Sequence, residues 1–298
     1  MEEKKKWRTG CAVIALLFVA GMGLMLAGAF RSARVRPAAL TVFTGEQIAV
    51  IRIEEPVFSP DLIVERLEQC RDDKNVKAVV LRINSPGGGV AACQEVYESV
   101  KRVKAAGKKV AASLGGVAAS GAYYIACASD TILANPGTVT GSIGVIFEFP
   151  YFYDLMKKVG VDMEIIKSGK YKDAGSFHRK LTPEERRLFQ DLINDTWEQF
   201  VDAVARGRGL SPDSVKAMAD GRVFTGRQAK ARGLVDTLGT FEDAKSLAKK
   251  MAGLPEEAEI FEFRAPRGVM KWLVKEFAET VRQKASLTAP GLLYLFTE

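Results

Sequence analysis

From Gln47 onward the chain alternates between two hydrophobic periods. Gln47–Val57 (QIAVIRIEEPV) is β-branched and alternating, as in a strand, and Asp61–Asp72 has helical spacing. Lys77–Asn84 (KAVVLRIN) is a near-continuous apolar run, the pattern of a strand buried on both faces. Val90–Ala106 places Val90, Cys93, Val96, Tyr97, Val100 and Val103 on one helical face. Lys109–Leu114 (KVAASL), Thr131–Ala134 and Met163–Lys167 read as further strands. Tyr153–Val159 and Pro183–Arg206 read as helices, the latter with Thr182 as N-cap and Pro183 at the first helical position. Strands alternating with helices predict βαβ units, a mainly parallel sheet and right-handed crossovers, hence the α/β class. The chain carries no internal repeat and no low-complexity tract.

The pattern before Gln47 is different. Cys11–Phe30 is a run of 20 residues without a charge. As a helix it would extend about 30 Å, the thickness of a bilayer's hydrocarbon core. Lys4, Lys5, Lys6 and Arg8 precede it and Arg31, Arg34 and Arg36 follow, so the charge bias weakly places the N-terminus in the cytoplasm. Ala27-Gly28-Ala29 resembles a signal-peptide cleavage site, but the apolar stretch is long for a removed leader. A retained signal anchor is the expectation. Residues 31–45 read as a juxtamembrane linker.

Charge sharpens this. The net charge is +7, yet residues 1–36 hold seven Lys/Arg against Glu2 and Glu3, leaving only +2 on the remaining 262 residues. The excess flanks the apolar segment, and no basic stripe suited to nucleic acid is present. A single histidine among 298 residues excludes a multi-histidine zinc site and any HExxH motif, and leaves His178 alone for a histidine-based triad. No metal or cofactor is expected. Cys11, Cys70, Cys93 and Cys127 have no CxxC spacing and read as reduced packing residues.

Three loops following strands concentrate small residues. Asn84-Ser85-Pro86-Gly87-Gly88-Gly89 lets the backbone approach a ligand and offers N–H groups, as an oxyanion cradle requires; a tight strand-to-helix turn is the plainer reading. In Gly115–Tyr124, Ser120 stands between Ala119 and Gly121 where a strand meets a helix over Gly121–Ser129, the placement of a nucleophile at an elbow. The plainer reading makes Ser120 that helix's N-cap. Ile165–Ser176 carries Lys167, Lys170 and Lys172; with one histidine in the chain, a buried lysine is the economical base for Ser120, since desolvation lowers an amine's pKa. The residues alone do not choose among the three.

At these loops the chain resembles the signal peptide peptidase A family in its short, single-repeat form, Ser-Lys peptidases of the ClpP/crotonase fold (peptidase family S49). The resemblance rests on LRINSPGGGV (81–90), ASGAYYIACASD (119–130), TGSIGV (140–145), EIIKSGKYKDAGS (164–176), LTPEER (181–186) and DGRVFTGRQAKARGLVDTLG (220–239), in the family's order over residues 46–245. It implies Ser120 as nucleophile, Lys172 as general base, Ser142 orienting the lysine, and an oxyanion hole from the N–H groups of Gly87 or Gly88 and of Gly121. Asp173 is expected to be structural or solvent-facing rather than catalytic, and His178 a surface residue near the site. The resemblance also implies residual signal peptides and other apolar peptides as substrates, and a homo-oligomeric ring. Extended peptides would lie along a strand edge near Gly87–Val90.

The expected organisation is therefore a cytoplasmic N-terminus (1–10), a transmembrane anchor (11–30), a linker (31–45), a Ser-Lys peptidase domain (46–245) on the extracytoplasmic side of the inner membrane, and a C-terminal extension (246–298). Pro266–Ala285 in that extension reads as an amphipathic helix that packs on a neighbouring subunit, on the membrane or on its own domain. Two other readings compete with a peptidase. One is a crotonase-type acyl-CoA enzyme, which would need neither the serine–lysine pair nor an anchor. The other is a catalytically idle scaffold of the same fold.

Overall fold

Short strands rich in Val, Ile and Ala set the architecture of the computed structural model, which describes residues 45–263 and 293–295. The strands are β1 (Gln47–Glu54), β2 (Val76–Ser85), β3 (Gly87–Gly89), β4 (Lys109–Ala119), β5 (Thr131–Ala134), β6 (Val139–Gly141), β7 (Val223–Thr225), β8 (Thr237–Leu238), β9 (Glu259–Glu262) and β10 (Leu293–Leu295). The helices are α1 (Asp61–Asp72), α2 (Val90–Ala105), α3 (Gly121–Ala126), α4 (Tyr153–Lys158), α5 (Pro183–Arg208), α6 (Pro212–Lys216), α7 (Gly226–Ala231) and α8 (Phe241–Met251).

Eight strands form one sheet whose main path is β7-β6-β4-β2-β1-β9. All pairs are parallel except β6–β7. The edge of β4 forks: Ala111–Leu114 pair with β5, and Val117–Ala119 pair with β6. A bulge makes the fork possible. Ile83 pairs with Leu114, but Ser85 pairs with Ala118, so Gly115-Gly116-Val117 stand opposite the single residue Asn84, two more on β4 than on β2. The Asn84 side-chain oxygen accepts from the N–H groups of Gly116 and Val117 at 2.9 and 3.2 Å. The glycine pair thus bends β4 without ending it, which is why the strand runs to Ala119 rather than stopping at Leu114.

Both faces of the sheet are covered. On one, Ile51, Ile53, Val79, Leu81 and Ile83 meet α2, α3 and α5 in the larger core cluster. On the other, Ile48, Val50 and Val80 meet Ala244 and Ala248 of α8. This accounts for the near-continuous apolar runs.

The expected strand over Met163–Lys167 is not formed; these residues are irregular and exposed, with Ile166 at 95%. β-branched residues favour a strand only where a pleated partner is available, and none borders this segment. The short strands β6–β9 and the short helices α6 and α7 fall below the length at which periodicity is informative. Among the described residues no helix is long and apolar enough to cross a membrane. The apolar run 11–30 and the tail helix 266–285 lie outside the described residues.

Candidate active site

Three adjacent parallel strands, β2, β4 and β6, end at Ser85, Ala119 and Gly141. At each of these carboxyl ends begins a segment singled out from the sequence: the glycine strand β3, Ser120-Gly121, and Ser142. Ligand sites of parallel sheets gather at this end.

Ser120 is buried, 1% exposed, and holds φ 54° and ψ −121°. Its N–H donates to the Gly141 carbonyl at 2.8 Å, and its own carbonyl accepts from Tyr124 N–H at 2.9 Å. Its hydroxyl makes no capping bond to α3, so the N-cap reading fails and the hydroxyl stays uncommitted to the helix. Ser142 is 7% exposed at φ 50°, and its N–H donates to the Arg222 carbonyl at 2.9 Å. Among the described residues only Glu55 joins these two serines as a non-glycine residue at positive φ. Such conformations cost about 1–3 kcal/mol each and persist where the surroundings enforce them. Here they are enforced by the sheet: the β4–β6 register ends on the Ala119–Gly141 pair, and α3 is pinned by Tyr123, whose hydroxyl donates to the Leu234 carbonyl at 2.8 Å. Tyr124 adds ring contacts to Tyr97 and Phe200 at 4.8 and 5.2 Å.

The glycine strand is held from one side by Val57. Val57 N–H donates to the Gly87 carbonyl at 2.7 Å, and Gly89 N–H donates to the Val57 carbonyl at 3.0 Å. The approach is close enough that a Cβ on Gly88 would stand 2.2 Å from the Val57 carbonyl oxygen, so only glycine fits. Gly87 N–H is taken by the Ser85 hydroxyl at 3.2 Å. Strand alternation turns the Gly88 N–H to the opposite edge. Along that edge β10 runs antiparallel, with Tyr294 opposite Gly88.

Lys172 lies on an exposed turn, its N–H donating to the Gly169 carbonyl at 3.1 Å. Neither Ser120 nor Ser142 is hydrogen-bonded to its amine. The fold therefore gathers Ser120, Gly121, Ser142 and Gly87–Gly88 and leaves Lys172 at the surface. Of the two readings of its neighbour Asp173, structural or solvent-facing, the ion pairs favour the structural one. Asp173 binds Arg179 and Lys167, which in that order hold its carboxyl below the usual carboxylate range. His178 is half-buried, edge-on to Phe177.

Arg179 and Glu185 were not singled out by sequence. Arg179 reaches both Asp173 and Glu185. The spacing Thr182-x-x-Glu185 is a capping-box signature and is formed as such; nothing in the local pattern marks Arg179. Cys70, Cys93 and Cys127 are free and buried, and burial pushes each thiol up to about 12, which suits packing and not nucleophilic attack.

The sequence model of peptidase family S49 matches residues 102–255, just over half of the chain and including Ser120, Ser142 and Lys172. That of Clp protease matches residues 43–136, which contain the glycine strand and Ser120; the mixed α/β sheet agrees with a ClpP-like fold. A putative protease of Synechocystis sp. is 47% identical over 203 residues, 68% of this chain and 73% of that protein. A putative signal peptide peptidase SppA of Enterococcus faecium is 37% identical over 223 residues, 74% of this chain and 64% of that protein. A chloroplastic serine protease SPPA of Arabidopsis thaliana is 36% identical over 224 residues, 70% of this chain but 33% of that protein. These matches decide for a peptidase over an acyl-CoA enzyme. The chain belongs to peptidase family S49.

Proposed function

We propose that this peptidase works through Ser120 as nucleophile and Lys172 as general base. The observation that carries the reading is Ser120 itself: buried, backbone-strained, its hydroxyl not used as a cap, at the carboxyl end of β4 beside Ser142. A neutral Lys172 amine takes the Ser120 proton as Oγ attacks a peptide carbonyl carbon. The resulting oxyanion receives the N–H groups of Gly121 and of the glycine strand. Of the two glycines Gly88 is the better donor, because the Gly87 N–H already serves Ser85. Collapse of the intermediate transfers the proton to the leaving amine and leaves an acyl-serine. Lys172 then activates the water that hydrolyses it. Ser142 orients the amine.

The substrates are extended apolar peptides, residual signal peptides among them, laid along β3 by strand addition. Support comes from β10, an apolar stretch of this same chain that pairs antiparallel with Gly87–Gly89. Residues 11–30 anchor the protein in the inner membrane with residues 1–10 in the cytoplasm, which puts the catalytic part outside. Self-association into a ring completes the reading. Between Tyr151 and Phe177 lie eleven of the sixteen exposed large hydrophobic residues among those described, on the segment that carries Lys172. A second copy covering this surface would also withdraw the lysine from water, as a neutral base requires.

The test is turnover of a peptide or ester by the full chain against its Ser120→Ala and Lys172→Ala variants. Each substitution is expected to lower kcat by about 10³-fold or more. Wild-type turnover in either variant overturns the dyad.

A further inference from the structure

The lysine turn has almost no regular structure of its own: between α4 and α5 the chain forms neither helix nor strand. Among the groups that hold it, the Arg179 guanidinium joins it to the start of α5. Arg179 donates through Nε to Asp173 Oδ2 at 2.9 Å and through Nη2 to the Asp173 carbonyl at 3.4 Å. On its other side it grips Glu185 with both terminal nitrogens, at 2.8 and 2.6 Å, in the bidentate geometry that only arginine offers. Glu185 in turn closes the capping box of α5: its Oε2 accepts from Thr182 N–H at 2.9 Å, and its N–H donates to Thr182 Oγ1 at 3.2 Å. The second carboxylate oxygen of Asp173 is taken by Lys167 Nζ at 2.5 Å. The side chains of Asp173 and Glu185 are only 10% and 4% exposed. Two carboxylates and two cations thus neutralise one another around a residue whose immediate neighbour in sequence is Lys172.

This arrangement has an electrostatic consequence for Lys172. A free carboxylate beside an amine holds the proton on it and works against a neutral base. Asp173 is the nearest acid in sequence, and both of its oxygens are committed elsewhere. Of the other charged or titratable groups on the turn and on the first turn of α5, Lys170 is paired with Glu184, Glu185 is held by Arg179, and His178 stands edge-on to Phe177; Lys180, Tyr171 and Arg186 are exposed.

We propose that Arg179 is a positioning residue for the reaction: by clamping Asp173 to Glu185 it fixes the Lys172 turn to the start of α5 and withholds the Asp173 carboxylate from the Lys172 amine. The proposal rests on Lys172 being the base, and its test separates the two ideas.

The experiment is the pH dependence of kcat and KM for the full chain and for Arg179→Ala, Arg179→Lys, Asp173→Asn, the double variant Arg179→Ala/Asp173→Asn, and Lys172→Ala, with a thermal melt for each. Arg179→Ala is expected to lose about 10- to 100-fold in kcat near neutral pH, the scale of an ångström of misplacement, with KM little changed. Its kcat midpoint should move up by about one pH unit, since the freed Asp173 can pair with the amine. Adding Asp173→Asn should bring the midpoint back without restoring the full kcat, and Arg179→Lys should recover only part of the loss. Asp173→Asn alone should lower kcat with no upward midpoint shift. An upward midpoint shift in Arg179→Ala that is absent from Asp173→Asn is the signature that a purely structural role does not give. If Arg179→Ala fails to fold, the Arg179→Lys and Asp173→Asn pair gives the same contrast. A folded Arg179→Ala with an unchanged kcat midpoint, or with the loss confined to KM, overturns the proposal. Wild-type activity in Lys172→Ala instead overturns the dyad on which it rests.

Discussion

Glu185 shows how much a single side chain does in this fold. Its carboxyl is held down to about 2, first by the Arg179 guanidinium and then by the Thr182 backbone N–H, against the opposing effect of burial. A carboxylate whose folded pKa lies below its unfolded value, about 4.3, contributes stability that is fully present above that value. The contribution is lost as pH falls from there through about 2. In urea titrations, Glu185→Gln should therefore be less stable than the wild type at pH 7, and the gap should narrow steadily between about pH 4.5 and pH 2. A gap that is constant across this range would show that Glu185 acts by shape alone. At this scale the site was legible where residue type and local order coincide. Ser120 between small residues, the glycine run at 87–89 and Thr182 as N-cap before Pro183 all announce themselves in the sequence. The strain at Ser120 and Ser142 and the Arg179 clamp did not, because each is imposed by a distant partner: Gly141 on Ser120, Arg222 on Ser142, and Asp173 with Glu185 on Arg179.

Among the elements, long and strongly periodic ones follow the sequence closely, and the exceptions are decided by neighbours. α5 runs from Pro183 to Arg208, two residues beyond the expected end, and stops at Gly209, which takes a left-handed φ of 62°. The apolar run Met163–Lys167 has strand composition and no strand beside it, while Gly115-Gly116, which reads as a loop, is carried through β4 as a bulge. Gly207 gives the same lesson in a testable form. On propensity alone, a glycine inside a helix should be improved by alanine, by up to about 1 kcal/mol. Here α5 crosses the end of α3 so closely that a Cβ at 207 would stand 2.2 Å from the Cys127 carbonyl oxygen and 3.1 Å from its Cβ. Backbone cannot swing aside as a side chain can, so the overpacking cost, about 1–3 kcal/mol, outweighs the gain. Gly207→Ala should lower the urea midpoint. An increase would mean that the two helices part freely, and that the placement of Ser120 at the start of α3 is softer than its contacts imply.

For the whole molecule, the distribution of apolar surface bears on how the site is completed. Protein surface facing water rarely carries a large apolar patch without a partner for it. This one exposes Tyr151, Tyr153, Leu155, Val159, Met163 and Ile166 along a single segment, while the sheet behind Ser120 is buried on both faces. The same segment leads directly into the Lys172 turn, so under the proposed self-association the apolar surface and the proposed base are covered or uncovered together. Assembly and catalysis should then be coupled. Ile166, 95% exposed, is the position to perturb, since its side chain contributes almost nothing to the fold of the single chain. Ile166→Asp should leave the melting temperature close to that of the wild type. In sedimentation velocity with detergent-solubilised full chain it should shift the distribution toward smaller species. Specific activity should fall in step with the loss of the larger species and recover as protein concentration is raised. A wild type that sediments as a single chain at every concentration and is fully active there would break the link. The Lys172 turn would then have to be completed by the chain that carries it.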